Sequence, residues 1–344
     1  MTQSNEHLER LQEKLLTKEQ ALERIQGYED CAELTVAGRS EFSIHPSLDN
    51  HFILAHDNNE YVFSQLGFEK ICRLVGIPHT YTRKIPDQLL FPHLQYWLAD
   101  GEVGMKAFIR GTADDDGRLP IAGFAHEDAY YYPISRILER VEQVTTNYMV
   151  EGLEDVGWRN SDFGLVFPET QFEVTTPEVG DHLYGGVKIQ HSLLGETPFK
   201  ISAFLLTLAC LNGMVSVDEI YTFNRKQGLE GEDEWIVTGV QNAIGALNSE
   251  VEKVRSLTSV AITNEEIPAY VSHAFDQRNI NKKTREAVLQ QIIARNPRNL
   301  YDLMNSITEV AHNIENRREV LAIQSLGGFV ASHSDSCGNC HRPF

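Results

Sequence analysis

Positive charge is what this chain of 344 residues is short of: 30 Lys and Arg stand against 49 Asp and Glu, a balance of −19. Such a balance repels polyanions at long range and argues against non-specific coating of DNA, although a local basic groove would survive it. Long apolar runs are missing too. No window reaches the ~18 consecutive apolar residues of a spanning helix, and the opening MTQSNEHLERLQEK lacks the basic-then-apolar order of a secretory signal. The expectation is a cytoplasmic protein with no membrane partner. Cysteine is sparse, five in all, and Cys31, Cys72 and Cys210 sit in mixed or apolar surroundings. A buried free thiol is the default for such residues in a reducing compartment. Also absent are G-x-S-x-G, Gly-x-x-x-x-Gly-Lys, the dinucleotide glycine fingerprint and H-E-x-x-H. The commoner nucleotide- and metal-dependent enzyme patterns thus have no foothold, which favours binding over catalysis without deciding it.

What is present is an ordinary globular composition, 42% hydrophobic and 23% charged. Leu8, Leu11, Leu15, Leu22 and Ile25 recur at three- and four-residue steps and predict an N-terminal amphipathic helix within residues 1–34. It serves either packing on its own domain or oligomerisation through a short coiled coil. Residues 35–222 mix strand and helix signals. Glu41–Ile44, Phe52–Ala55, Lys106–Arg110, Ile121–Ala125, Phe163–Phe167, Gln171–Thr175 and Tyr184–Gln190 read as strands. Residues 66–75 read as a helix ending at Gly76, 86–99 as another, and Pro133 opens a third. The longest apolar run, within Phe199–Val217, reads as a strand or as a helix through Leu205–Leu211. The expected fold class is α+β: a mixed or antiparallel sheet with flanking helices, followed by a helical C-terminal region at 235–326. Helices fit 263–275, 282–295 and 299–324, and 327–344 reads as a flexible tail.

Several segments are similar to one family: 63–89 (FSQLGFEKICRLVGIPHTYTRKIPDQL), LQYWL at 94–98, Arg110, GFAHEDAYYYPIS at 123–135 and LACLNGMVS at 208–216. Together they resemble the phage- and plasmid-associated family known as domain of unknown function 932. Two departures stand out: His126-Glu127-Asp128-Ala129-Tyr130 replaces the family's Ser-Asp-Arg-Tyr strand end, and Gln95-Tyr96 stands where an Asn usually precedes the Trp step. The resemblance implies a protein of a mobile element, and it implies no established activity.

Two constellations carry chemistry. Between 278 and 300, six basic residues (Arg278, Lys282, Lys283, Arg285, Arg295, Arg298) face only Glu286, a local balance of +5 in an acidic chain. A basic helical patch of this kind engages phosphates. Tyr301, the 130–132 tyrosines, Tyr221 and Phe223 are aromatics able to stack on unpaired bases. These residues predict a single-stranded nucleic-acid partner and a role as a replication or recombination accessory, acting as a homo-oligomer. The alternative is a counter-defence factor that sequesters a host protein on its acidic surface. The second constellation, Cys337 and Cys340 with His333, has half the spacing of a zinc knuckle. It is either a zinc site or a tail with two free thiols, so the cofactor expectation is none or zinc. His45, His51 and His56 have spacings that suit neither one helix face nor one strand face.

Overall fold

The computed structural model describes residues 11–13, 15–29, 32–36, 43–46, 52–82, 84–99, 105–109, 113–126, 132–153, 161–174, 181–192, 198–207, 213–215, 221–223, 232–268, 271–272, 275, 280–314 and 317–332. In chain order it runs through β1 (Leu16–Thr17), α1 (Lys18–Glu29), β2 (Ala32–Val36), β3 (Ser43–Pro46), β4 (Phe52–His56) and β5 (Asn59–Phe63). There follow α2 (Gln65–Leu74), α3 (His79–Thr82), α4 (Asp87–Ala99), β6 (Met105–Ile109), β7 (Leu119–His126), α5 (Ile134–Val141) and β8 (Met149–Glu151). The strands β9 (Ser161–Val174), β10 (Asp181–His191), β11 (Phe199–Thr207), β12 (Gly213–Val215) and β13 (Tyr221–Phe223) come next. The chain closes with α6 (Glu232–Leu257), α7 (Lys282–Arg295), α8 (Leu300–Glu309), a 3₁₀ turn (Val310–Asn313) and α9 (Arg317–Ser332). This is an α+β protein with a helical C-terminal part.

Two sheets organise it. The smaller, in spatial order β2-β6-β7-β5-β4-β3, is antiparallel except for the parallel β5–β7 pair. Parallel neighbours need a long crossover, and α2, α3, α4 and the β6 hairpin strand lie in the connection between them. Asp57 and Asn58, both at positive φ (48° and 63°), make the two-residue turn joining β4 to β5, the left-handed pair that matches strand twist. The larger sheet, β1-β8-β9-β10-β11-β12 with β13 also on β11, is antiparallel throughout.

The larger sheet is covered on both faces, which explains the unbroken apolar run of β11. Phe199, Ile201, Ala203 and Leu205 join the main core with Ile236, Val240, Ala243, Leu247 and Val251 of α6. Phe204 and Leu206 point the other way, into a smaller cluster with Leu11, Leu15, Met149, Val166 and Tyr184. Gly185 sits at an irregularity in β10, and Leu247 Cδ1 and Thr170 occupy the space a side chain there would need.

Three expectations are corrected. The N-terminal helix expected within residues 1–34 is interrupted at Leu16–Thr17, which pair with Val150 and Met149 of β8. Leu11 and Leu15 consequently pack on one face of the larger sheet, while Ala21 and Ile25 pack in the main core; these leucines bury against their own chain. The helix over 299–324 divides into α8, the 3₁₀ turn and α9. Residues 327–332, expected in the tail, continue α9, with Phe329, Val330 and Ala331 buried. Helices α6 to α9 share one core with the larger sheet.

Glu29, at the end of α1, reaches the first turn of α5, where its Oε1 accepts from the Ser135 N–H at 3.0 Å. Pro133, the residue before that helix, supplies no side-chain cap. Burial pushes the Glu29 carboxyl above its ordinary range, against the lowering effect of the Ser135 and Ile134 hydrogen bonds. A raised folded-state value means that its contribution to stability is complete below the unfolded value, near pH 4.3. That contribution is lost as pH rises through the folded value. Glu29→Gln keeps an acceptor and removes the charge. Thermal denaturation is expected to show it more stable than the parent by a few degrees at pH 7 and equal to it near pH 4. A variant less stable at pH 7 would refute this.

Candidate binding surface

The surface is built from the segment after β5. Ser64 caps α2: its Oγ accepts from the Gly67 N–H (3.0 Å) and donates to the Ile121 carbonyl (2.6 Å). The Ser64 N–H donates to that same carbonyl at 3.1 Å. The helix ends in paired bonds from Gly76 N–H to the Arg73 carbonyl (3.1 Å) and from Ile77 N–H to the Cys72 carbonyl (2.7 Å). This is the Schellman arrangement, and it requires the left-handed φ of +76° that Gly76 adopts. Ile77 folds back into the same cluster as Cys72. Pro78 and Pro86 carbonyls then accept the first N–H bonds of the following turns.

Helix α4 is held by Leu90, Leu94 and Leu98, a stripe at four-residue spacing buried with Ile44, Leu54 and Ile71. Gln95 anchors it to the sheet edge, accepting from the Ile44 N–H of β3 at 3.0 Å. The opposite side is apolar too. Leu89, Tyr96 (63% exposed) and Trp97 (46% exposed) face solvent, with His93 between them. Tyr81 stacks on the His93 ring at 6.1 Å with 8° between planes, and its hydroxyl lies 3.4 Å from Nδ1. Tyr96 meets Trp97 edge-on at 5.3 Å. At 1.5 Å rise per residue the strip from Leu89 to Trp97 is about 12 Å long. A helix apolar on both sides normally lies inside a core, and this one leaves the rings of His93, Tyr96 and Trp97 in water.

Charge around the strip differs from the rest of the chain. Residues 64–98 hold Lys70, Arg73, Arg83 and Lys84 against Glu69 and Asp87, and Arg73 and Lys84 are exposed. The one described free cysteine, Cys72, is buried beneath, and burial pushes its thiol up to about 12. It is therefore held protonated and is a poor nucleophile.

The residues singled out in the sequence are dispersed. Lys282, Lys283 and Arg298 are exposed, the lysines at the start of α7 and the arginine beyond its end. Arg285 turns inward: its guanidinium donates to the Ile280 (2.8 Å) and Phe275 (3.3 Å) carbonyls and lies over the Phe275 ring. Arg295 forks onto both carboxylate oxygens of Glu309. Tyr301 is 2% exposed and Tyr132 fully buried, which removes both from base stacking. Arg285 and Arg295 are thus engaged by carbonyls and a carboxylate of their own chain, while α7 buries Thr284, Val288 and Ile292. His45 is exposed and bonded to Ser43 Oγ, while His56 is buried beside Asp57. His51, Tyr130, Tyr131, His333, Cys337 and Cys340 lie outside the described residues. Among the described residues no cluster of three metal-ligating side chains occurs, and no helix is long and apolar enough to cross a membrane.

The aromatic strip was open to sequence reading in part. Leu89, Leu94, Trp97 and Leu98 mark α4, but one core-facing stripe accounts only for 90, 94 and 98. The surplus rings at 93, 96 and 97 were the signal. No family model matches this chain, and no curated protein or solved structure matches it.

Proposed function

We propose that this is a non-enzymatic binding protein of a phage or plasmid, acting in the host cytoplasm, whose α4 strip takes single-stranded nucleic acid by stacking. The observation that carries the reading is the exposed set His93, Tyr96 and Trp97 along one face of α4, with Tyr81 of α3 stacked on His93, in a stretch richer in base than in acid. Unpaired bases present π-faces that such rings accept irrespective of sequence. Lys84, one turn after Tyr81, supplies a phosphate contact. The segments at 63–89, 94–98 and 123–135 support the mobile-element context through the family they resemble. A role beside replication or recombination, as a homo-oligomer, fits a protein that binds strands without cutting them.

The test is oligonucleotide titration followed by Trp97 fluorescence or by anisotropy of a labelled strand. Tyr96→Ala and Trp97→Ala are each expected to weaken binding by roughly 5- to 100-fold, the equivalent of about 1–3 kcal/mol per stacked base. Few phosphates are engaged, so log affinity should fall with log salt at a slope of only about −1 to −2. Arg295→Ala, away from the strip, should change nothing. Unaltered binding in the Tyr96→Ala, Trp97→Ala double variant sinks the reading. The net charge of −19 favours a second one, a counter-defence factor that occupies a basic host protein. Pull-down of one basic partner without nucleic acid supports it.

A further inference from the structure

Helix α7 shows solvent a second face that the stacking surface does not use. Leu289 is exposed and Ile293, one turn on, is 79% exposed, while Val288 and Ile292 on the adjoining side fill the core. An isoleucine so open in the last turn of a helix contributes little helix propensity and leaves its side chain in water. Cations bracket this apolar centre. Lys282 and Lys283 stand at one end and Arg298 at the other, all exposed. Lys282 makes a loose 3.8 Å pair with Glu286, also exposed, and Gln290 is another exposed polar residue of the helix.

We infer that this face is a docking site for an acidic amphipathic segment, an extended or helical peptide with apolar side chains in its middle and carboxylates at both ends. Charge complementarity selects this occupant. A second copy of α7 laid antiparallel would bring Lys282 and Lys283 against Arg298 of its mate, a like-charge contact that disfavours self-pairing. A polynucleotide would find aliphatic side chains where it needs rings, because no aromatic residue lies on α7. Apolar contact at Leu289 and Ile293 provides the affinity, and the three cations set direction and register.

The probe is a fluorescein-labelled peptide about as long as α7, with leucines at two adjacent turns in its centre and glutamates at both ends. Its partner is the same peptide with glutamines for glutamates. The full-length protein is expected to bind the acidic form at least tenfold more tightly at low salt, and the difference should vanish by about 0.5 M salt. Ile293→Glu should abolish binding, and Lys282→Ala with Lys283→Ala should weaken it and flatten its salt dependence. Both sites lie in solvent, so circular dichroism and melting temperature should match the parent. The proposal is overturned by Ile293→Glu binding the peptide normally, or by equal binding of both peptides. It is overturned equally if Ile293→Glu instead dissolves a dimer seen in sedimentation, or if Lys282 and Lys283 are needed for an oligonucleotide alone. Loss of strand binding in the Tyr96 and Trp97 variants leaves this result untouched, so the two surfaces fail or stand separately.

Discussion

Gly67→Ala is expected to unfold this protein at temperatures at which the parent is stable. Helix propensity argues the opposite, since alanine in place of a helical glycine is worth about 1 kcal/mol in favour of the helix. Packing decides the sign. A methyl group on Gly67 would collide with the Ile121 carbonyl oxygen and come to 3.2 Å from its carbon and 3.3 Å from Ser64 Oγ. That carbonyl belongs to β7 and is the acceptor for both the Ser64 N–H and its hydroxyl. Backbone has no rotamer by which to yield, so α2 must move off the sheet and surrender those bonds. Overpacking costs about 1–3 kcal/mol and two hydrogen bonds about 1 kcal/mol each, for a total of about 3–5 kcal/mol. Urea denaturation measures it. Gly245→Ala in α6 is the control: its added methyl meets nothing within 4 Å, and a small gain in stability is expected. A neutral Gly67→Ala would mean that α2 is not seated as described. Because α2 leads directly into α3 and α4, the same variant should also lose strand binding.

Breaking the ion pair inside the larger sheet is expected to cost as much. Glu151 of β8, Gly164 of β9, Lys188 of β10 and Ser202 of β11 stand in one cross-strand row. Gly164 has no side chain to separate its neighbours, and Lys188 reaches across it to place Nζ 2.5 Å from Glu151 Oε2 and 5.1 Å from the centre of the Phe204 ring. A methyl on Gly164 would lie 3.0 Å from that carboxylate oxygen. Lys188 is 1% exposed, so water cannot replace a lost carboxylate. Glu151→Ala is expected to destabilise by about 3–5 kcal/mol, the range for removing one partner of a buried pair. Lys188→Met with Glu151→Leu replaces both charges with apolar groups of similar bulk and should fall within about 1–2 kcal/mol of the parent. A double-mutant cycle in urea separates the pair from its surroundings. Additive single effects would show that the pair contributes no coupling.

Local rules in the sequence reached far into the smaller sheet and its helices. Residues 66–75 and 86–99 read as helices and appear as Gln65–Leu74 and Asp87–Ala99; Gly76 and Pro133 mark ends because their backbone constraints act within a few residues. Helix 282–295 appears with the same bounds. β11 was ambiguous because a strand buried on both faces loses the alternation that identifies one. The N-terminal helix was overextended for a related reason. Leu11, Leu15, Leu22 and Ile25 keep helical spacing on both sides of the break, and only β8, over 130 residues away, supplies the pairing at Leu16–Thr17.

The amino-acid order by itself determined the α+β class, most helix ends, the acidic field and the presence of an aromatic-rich α4, since each depends on neighbours a turn or a strand away. Which of these residues meet solvent was decided by the tertiary structure alone. Arg285 and Arg295 read as free cations until Phe275, Ile280 and Glu309 came within bonding reach, and Tyr301 read as available until the core closed over it. Tyr96 and Trp97 were left outside. Burial is a property of the assembled surface, set by partners distant in the chain, and side-chain chemistry at a surface follows burial.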